Sequence, residues 1–288
     1  MSISLIILTK NRALLLEKNL GSLAGQTKKP SEIIIIDNNS QDTTQEIIQN
    51  YSKRLPVKSI ITKISGYASL YNLGIENCSG QLICFLDDDC IAEPHWLEKL
   101  TEAHLKYPSE IIQGNTFALP KDNIYAQIMG DHYQNWLKSN MINRLELKVL
   151  DNKNLGVPRE IFEKVGTFSE KQNLGSEDIE FGQRAKKNNV KIIFQPQAIA
   201  FHHERDNFKA FVNQHLRIAK SESALDKTAG KTNKVGVLAG KKALMDFWSG
   251  IKREINYLKN YQIRNAFLLP IIYLILSLTR LYGYFIKK

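Results

Sequence analysis

Cysteine is scarce in this chain of 288 residues: Cys78, Cys84 and Cys90 are the whole supply, and no C-x-x-C pair occurs. An odd count confined to one stretch excludes a disulfide framework and a thiolate zinc cluster, so the three read as reduced structural thiols of a cytosolic setting. Also missing is a glycine-rich loop with a lysine after the first apolar run, which removes a triphosphate-binding P-loop and, with it, a dinucleotide fingerprint. The opening residues, Met1-Ser2-Ile3-Ser4-Leu5-Ile6-Ile7-Leu8, carry neither a basic leader nor a cleavage site, and no secretory signal is expected. No uncharged apolar run reaches the roughly 18–20 residues of a membrane-crossing helix. Ala266 to Thr279 comes nearest, and Pro270 interrupts it. What is present is 43% hydrophobic residues, enough for one large α/β domain with an appendage.

The net charge of +10 is unevenly placed. Residues 205–288 hold sixteen Lys and Arg against five Asp and Glu, so the basic excess is entirely C-terminal and residues 1–204 are close to neutral. A basic tail suits nucleic acid or anionic lipid. Nucleic acid is excluded as the main partner because there is no RRM-type aromatic and glycine motif, no zinc spacing and no evident recognition helix.

Acidic charge is concentrated instead where Leu82-Ile83-Cys84-Phe85-Leu86 runs into Asp87-Asp88-Asp89. A short continuous apolar run bounded by Ser79-Gly80 and Glu93-Pro94 suits a strand covered on both faces. Adjacent carboxylates raise the cost of ionising one another unless they share a cation. Alternation along an extended chain would send Asp87 and Asp89 to one face and Asp88 to the other, a D-x-D spacing suited to a hard divalent ion that also binds phosphate. A solvated acidic turn is the alternative.

The chain before the triplet repeats one pattern. Ile3–Leu8 is a strand ending in Thr9-Lys10-Asn11-Arg12, followed by a helix carrying Leu14, Leu15, Leu16 and Leu20. Glu32–Ile36 is a second strand, ending in Asp37-Asn38-Asn39-Ser40-Gln41-Asp42 before a helix from Thr43 to Tyr51; Val57–Thr62 is a third, with a helix from Ala68 to Asn77 after it. Four such repeats predict right-handed crossovers and an open, mostly parallel sheet, with ligands in the crevice beyond the strands' carboxyl ends. Thr9, Asp37 and Asp87 through Asp89 all belong there. A helix is expected from His95 to Tyr107 and a strand at Ile111–Asn115; residues 120–150 mix Tyr125, Tyr133, Trp136 and Leu145 with polar positions and give no clear element. Pro158 suits the first position of a helix ending near Val165-Gly166. Ser176 suits an N-cap, which puts Glu177 and Asp178 in a first helical turn. There they either complement the helix dipole or take part in chemistry. Two short strands, Lys191–Phe194 and Ala198–Phe201, end at His202-His203, where a single histidine is either structural or a ligand.

With these motifs in order, residues 2–204 resemble family 2 glycosyltransferases of the GT-A fold. The resemblance rests on Ile6 to Arg12, Ile36 to Ser40, Asn72-Leu73-Gly74-Ile75, Phe85 to Asp89, Asn154 to Phe168, Ser176-Glu177-Asp178 and Pro196 to His202. It implies that Asp37 contacts the nucleotide base, with Thr9 and Asn11 lining the pocket and Asn72 near the ribose and phosphates. It implies that Asp87 and Asp89 hold Mg²⁺ or Mn²⁺ on the donor's pyrophosphate, with His202 completing the metal shell, and that Asp178 is the general base, kept ionised by its helix terminus. Asn154, Gly156 and Glu177 would lie on the acceptor side. Tyr71 departs from the pattern, standing where a smaller or basic residue is common. The implied activity is inverting transfer of a sugar from a UDP- or dTDP-sugar, or a GDP-sugar, to a hydroxyl of a glycan or lipid-linked acceptor in cell-surface polysaccharide or glycolipid synthesis. A non-catalytic nucleotide-sugar-binding or scaffolding protein of an assembly complex is the alternative.

Beyond residue 204 the resemblance fades. A basic amphipathic helical extension is expected over 205–262, with Phe211, Phe247 and Trp248 among its apolar residues, and an apolar helix over 263–288. Phe267, Tyr273, Tyr282 and Tyr284 suit a membrane interface, so this helix would lie on the inner face of the cell membrane, or else pack on the domain or a second subunit.

Overall fold

The computed structural model describes residues 1–119, 124–171 and 176–205, with isolated positions beyond. The expectations for 205–262 and 263–288 fall almost wholly outside the described residues. Backbone contacts divide the chain into two units, the first comprising 1–121, 126–173 and 177–204. All that follows concerns the first.

The predicted repeats are present: β1 (Ile3–Thr9), α1 (Ala13–Ala24), β2 (Glu32–Asp37), α2 (Thr44–Tyr51), β3 (Val57–Ile61), α3 (Tyr67–Glu76) and β4 (Leu82–Leu86). Then come β5 (Cys90–Ala92), α4 (Trp96–Lys106), β6 (Ile111–Ala118), α5 (Ile124–Ser139), β7 (Glu146–Leu147), β8 (Asn154–Pro158), α6 (Arg159–Val165), α7 (Glu177–Lys187) and β9 (Ile192–His202). They build one sheet in the order β3-β2-β1-β4-β8-β6-β9-β5, with β7 beside β9. The half from β3 to β4 is parallel throughout. The other half is mixed: β8 runs antiparallel to β4 and β6, and β6 is parallel to β9.

Alternation along the parallel strands fills two cores. Leu5, Ile7, Ile33 and Ile35 pack with Leu16, Leu20 and Trp96 on one side. Ile6, Ile34, Ile36 and Phe85 pack with Phe162, Phe168 and Phe181 on the other. Side chains of period two with both faces covered explain why β1, β2 and β4 read as unbroken apolar runs.

Two expectations are corrected. Pro158, expected as the first residue of a helix, is instead the last residue of β8, an interior strand between β4 and β6, and the helix begins at Arg159. The two strands expected at 191–201 are one, β9, with Pro196-Gln197-Ala198 accommodated in an irregularity between the Gly114–Gln195 and Asn115–Ile199 pairs; proline is tolerated there because a bulge releases the ladder hydrogen bond. Ser176 immediately precedes α7, with Glu177 and Asp178 in its first turn as expected, and takes up left-handed backbone, φ 75°. The uninterpreted 120–150 region contains α5 and β7, with Trp136 packed against the second core.

At the amino ends of the strands, the buried Glu32 carboxylate accepts from Ser4 Oγ (2.6 Å), Ser79 N (2.6 Å) and Lys58 Nζ (2.7 Å). Burial pushes its pKa up, but these bonds, from Lys58 first and then Ser4 and Ser79, outweigh burial and hold it at about 2 against an ordinary 4.5. A depressed carboxylate stabilises the fold above its unfolded pKa and loses that contribution as the pH falls through the folded one. Urea midpoints of wild type and Glu32→Gln should therefore differ most above pH 5 and converge as the pH is lowered towards 2; a constant gap across this window would contradict the assignment.

Candidate functional site

The strand order reverses between β1 and β4, which are neighbours although β2 and β3 continue from the far side of β1. In open α/β sheets the crevice beyond such a point is where ligands bind. The loops after β1 and β2 are stitched across it: Asn11 N donates to Ser40 Oγ (2.8 Å), Gln41 N to Asn11 Oδ1 (2.7 Å) and Ala13 N to Asp42 Oδ2 (3.1 Å). Asn11 takes up left-handed backbone, φ 51°, a conformation that asparagine adopts more readily than most residues. Thr9 and Asp37 are paired across β1 and β2, and both are buried. The Asp37 carboxylate accepts from Ser40 N (2.9 Å), from Ser40 Oγ (2.6 Å) and from Gln45 Nε2.

The triplet leaves β4 in a turn rather than an extended strand, yet ligand atoms of Asp87 and Asp89 still come together without Asp88. Arg12 Nη1 reaches both Asp88 Oδ1 (2.7 Å) and Asp89 Oδ2 (2.9 Å). Burial would lower the Arg12 pKa, but Asp88 and Asp89 raise it well above its usual value, so it is a fixed cation. Asn19, fully buried in the apolar row of α1, donates to the carbonyls of Asp87 (3.0 Å) and Cys90 (2.8 Å) and clamps the turn from below. Immediately after the turn, β5 pairs antiparallel with β9, setting Cys90 opposite His202. That register delivers His202 Nε2 to within 3.1 Å of Asp89 Oδ1, while Nδ1 lies 2.8 Å from Glu204 Oε1. Burial lowers the His202 pKa, but Asp89 and Glu204 reverse this and raise it to about 10. Burial, then Asp89, pushes the Asp87 carboxyl up.

Asp87, Asp89 and His202 each offer a ligand atom, and these atoms all lie within 4.8 Å of one another. Two carboxylates and an imidazole, gathered into a buried cluster of negative charge, fit a divalent cation. Tyr71, the departure noted above, donates its hydroxyl to Asp87 Oδ1 (3.3 Å) and is seated by ring contacts with Phe85 and Phe168.

On the other flank, Glu177 and Asp178 open α7. Asn152 Nδ2 lies 3.5 Å from Glu177 Oε1, and Ile179 N donates to Asp178 Oδ1 (2.7 Å). Burial, followed by the charges of Glu177 and Asp151, pushes the Asp178 carboxyl well above the usual carboxylate range. This corrects the expectation that the helix terminus depresses it, because desolvation and two like charges outweigh the dipole. Lys153, absent from the expected set, lies one residue before β8, whose Asn154 pairs with Leu86. Its ammonium is 3.1 Å from Asp151 Oδ2 and 4.1 Å from the Tyr133 ring centroid.

Three expected site residues are internal. Asn154 is fully buried; it accepts from Trp96 Nε1 (2.7 Å) and donates to Asn115 O (3.1 Å) and Ala198 O (2.9 Å), tying α4, β6 and β9 together. Gly114 beside it must lack a side chain, since a Cβ would fall 2.1 Å from Asn154 Oδ1. Gly156 sits within β8 between β4 and β6. Asn72 uses its amide on both backbone groups of Phe168, at 2.9 and 3.0 Å. Of the residues not foreseen, Arg12 closes the first motif, Asn19 is a polar residue at an apolar position, and Glu204 directly follows the paired histidines. Only Asn19's buried helical spacing gave a signal within its own element.

A profile of the family "Glycosyl transferase family 2" matches residues 4–166. Glycosyltransferase AglE of Haloferax volcanii is 28% identical over 225 residues, covering 76% of this chain and 72% of that protein. Validoxylamine A glucosyltransferase of Streptomyces hygroscopicus subsp. limoneus is 27% identical over 238 residues, covering 70% of this chain, and the match spans about half (52%) of that protein. Among solved structures, mannosyltransferase PcManGT from Pyrobaculum calidifontis, in complex with GDP-Man and Mn²⁺, superposes with a TM-score of 0.65 at 15% identity, covering 97% of this chain and 86% of that one. The chain thus has the GT-A fold.

Removing the Arg12 cation leaves two buried carboxylates without it. Breaking a buried ion pair from one side costs about 3–5 kcal/mol, and here the expected loss for Arg12→Met is about 2–3 kcal/mol because Arg12 keeps partial solvent contact. Urea denaturation at pH 7 measures it; an unchanged midpoint would mean that the turn holds without Arg12.

Proposed function

The chain belongs to glycosyl transferase family 2, and from that premise we propose that it is a metal-dependent, inverting glycosyltransferase that moves a sugar from a nucleoside diphosphate donor to a hydroxyl acceptor. The observation that carries this reading is the meeting of Asp87, Asp89 and His202 beyond the β1/β4 switch point. Asp37, Thr9 and Asn11 form the nucleotide side, with a UDP- or dTDP-sugar favoured and GDP as the alternative. A divalent cation held by Asp87, Asp89 and His202 would supply charge neutralisation for the departing diphosphate; the imidazole in the donor set favours Mn²⁺ over Mg²⁺.

Asp178 acts as the general base. Its carboxylate takes the acceptor hydroxyl's proton as that oxygen bonds to the anomeric carbon and the bond to the diphosphate oxygen breaks. A single displacement of this kind inverts the anomeric configuration. A carboxyl with a raised pKa is a stronger base than an ordinary aspartate, which suits abstraction from an alcohol near neutral pH. Glu177 is placed on the acceptor side, while Asn154, Gly156 and Asn72 support the site through the frame.

The basic, aromatic-rich C-terminus supports a lipid-linked or membrane-proximal glycan acceptor and a working location at the inner face of the cell membrane. Among the described residues no helix is long and apolar enough to cross a membrane, so this proposal stands on the sequence of 263–288.

Calorimetric titration with UDP, dTDP and GDP, with and without Mn²⁺, is expected to give metal-dependent binding of one nucleotide that is lost in Asp89→Ala and kept in Asp178→Asn. Asp178→Asn should then slow sugar transfer about 100-fold or more, and the acid limb of the wild-type rate should lie above the ordinary aspartate pKa of about 4. Wild-type turnover in Asp178→Asn would remove the base; no nucleotide binding at all would favour a non-catalytic assembly protein. For the tail, flotation with anionic liposomes should recover the full chain and lose the form lacking 263–288; equal recovery would end the membrane proposal.

A further inference from the structure

His202 is fixed at the backbone more firmly than at the ring. Leu119 N donates to its carbonyl (2.9 Å), His203 N donates to Asp89 O (2.8 Å), and the Cys90 pairing sets its height along β9. None of these contacts determines which ring nitrogen faces the carboxylates. That choice falls to Glu204, whose Oε1 stands 2.8 Å from Nδ1 on the side of the ring away from Asp89. The contact is an ion pair between two buried side chains.

Glu204 is 4% exposed and is not one of the three residues that converge as ligands. Burying a carboxylate costs free energy unless opposite charge meets it. The charges facing it come from His202 and, from the segment before β8, Lys153, with Asp89 opposing. Lys153 already pairs with Asp151, which leaves His202 as the close partner of Glu204.

We propose that Glu204 is a positioning residue for the metal centre: its carboxylate accepts a hydrogen bond from Nδ1–H of His202, fixes the ring orientation and tautomer, and so reserves Nε2 as the ligand beside Asp87 and Asp89. A carboxylate behind a ligating imidazole also raises the basicity of the ligand nitrogen, and loss of such a partner typically weakens metal binding about 10- to 100-fold. The inference rests on the metal reading made above and concerns a residue that never touches the ion.

The full chain is titrated with Mn²⁺ alone, free Mn²⁺ being read by electron paramagnetic resonance, for wild type, Asp89→Ala, Glu204→Gln and Glu204→Ala. Glu204→Ala should weaken the dissociation constant about 10- to 100-fold, with Glu204→Gln in between because its amide oxygen still accepts from Nδ1. A purely structural role would lower the melting temperature and leave the dissociation constant of the folded variant where it was, which would overturn the proposal. ¹⁵N NMR of histidine-labelled wild type with diamagnetic Zn²⁺ as the probe needs no variant: Nε2 bound and Nδ1 protonated is expected, and a metal-bound Nδ1 would overturn it. If Asp89→Ala abolishes Mn²⁺ binding while Glu204→Ala leaves the dissociation constant unchanged, the positioning role fails and the metal centre stands. If wild type binds no Mn²⁺, the metal centre fails and takes the positioning role with it.

Discussion

Three consecutive carboxylates at the end of a buried strand repel one another, and the surrounding structure is arranged to hold them together. Arg12 from the loop after β1 bridges Asp88 and Asp89, His202 from the end of β9 meets the other oxygen of Asp89, and Tyr71 of α3 donates to Asp87. Asn19 secures the backbone of the same turn. Each contact comes from a different element, so the cluster can form only when β1, α1, α3, β4 and β9 are all in place. Coupling of this kind makes the site a consequence of the fold, and it also makes a local loss of charge felt in global stability.

The two halves of the sheet divide the work. The parallel half, with Ile-rich strands covered on both faces, supplies rigidity and places the loops after β1, β2 and β4 at one edge. The mixed half carries the histidine and the acidic start of α7, and its internal polar groups hold its strands in register. Asn154 is the clearest case: one amide satisfies an indole and two backbone carbonyls in a space that Gly114 leaves open. A buried amide with every partner present specifies one packing, because any shift would leave polar groups unpaired.

Electrostatics in the cleft follow from burial as much as from pairing. Desolvation raises the Asp178 and Asp87 carboxyls, and their like-charged neighbours raise them further. A helix terminus, worth a fraction of a kcal/mol to about 2 kcal/mol, does not reverse this. The site thus combines Glu204, held down against burial by His202, with Asp87, Asp88 and Asp178, pushed up by burial, and such divergence is what lets chemically similar groups take different roles.

The sequence by itself determined the parallel half. Period-two apolar runs and helical spacing fixed β1 to β4 with their helices, and polar clusters after the strands marked the crevice, because both signals are local and repeat. It also marked Asp87, Asp89 and His202, which the fold then brought within ligand reach of one another. Only the tertiary structure decided the rest. Asn154 and Asn72 belong to the frame, because which backbone groups an amide meets depends on segments distant in sequence. Arg12 and Glu204 join the cluster through contacts that cross between elements, and neither has a periodicity to betray it. Whether Asp178 is lowered by its helix or raised by its surroundings was decided by the depth at which Asp151 and Glu177 pack beside it, a property of the cleft that no stretch of sequence contains.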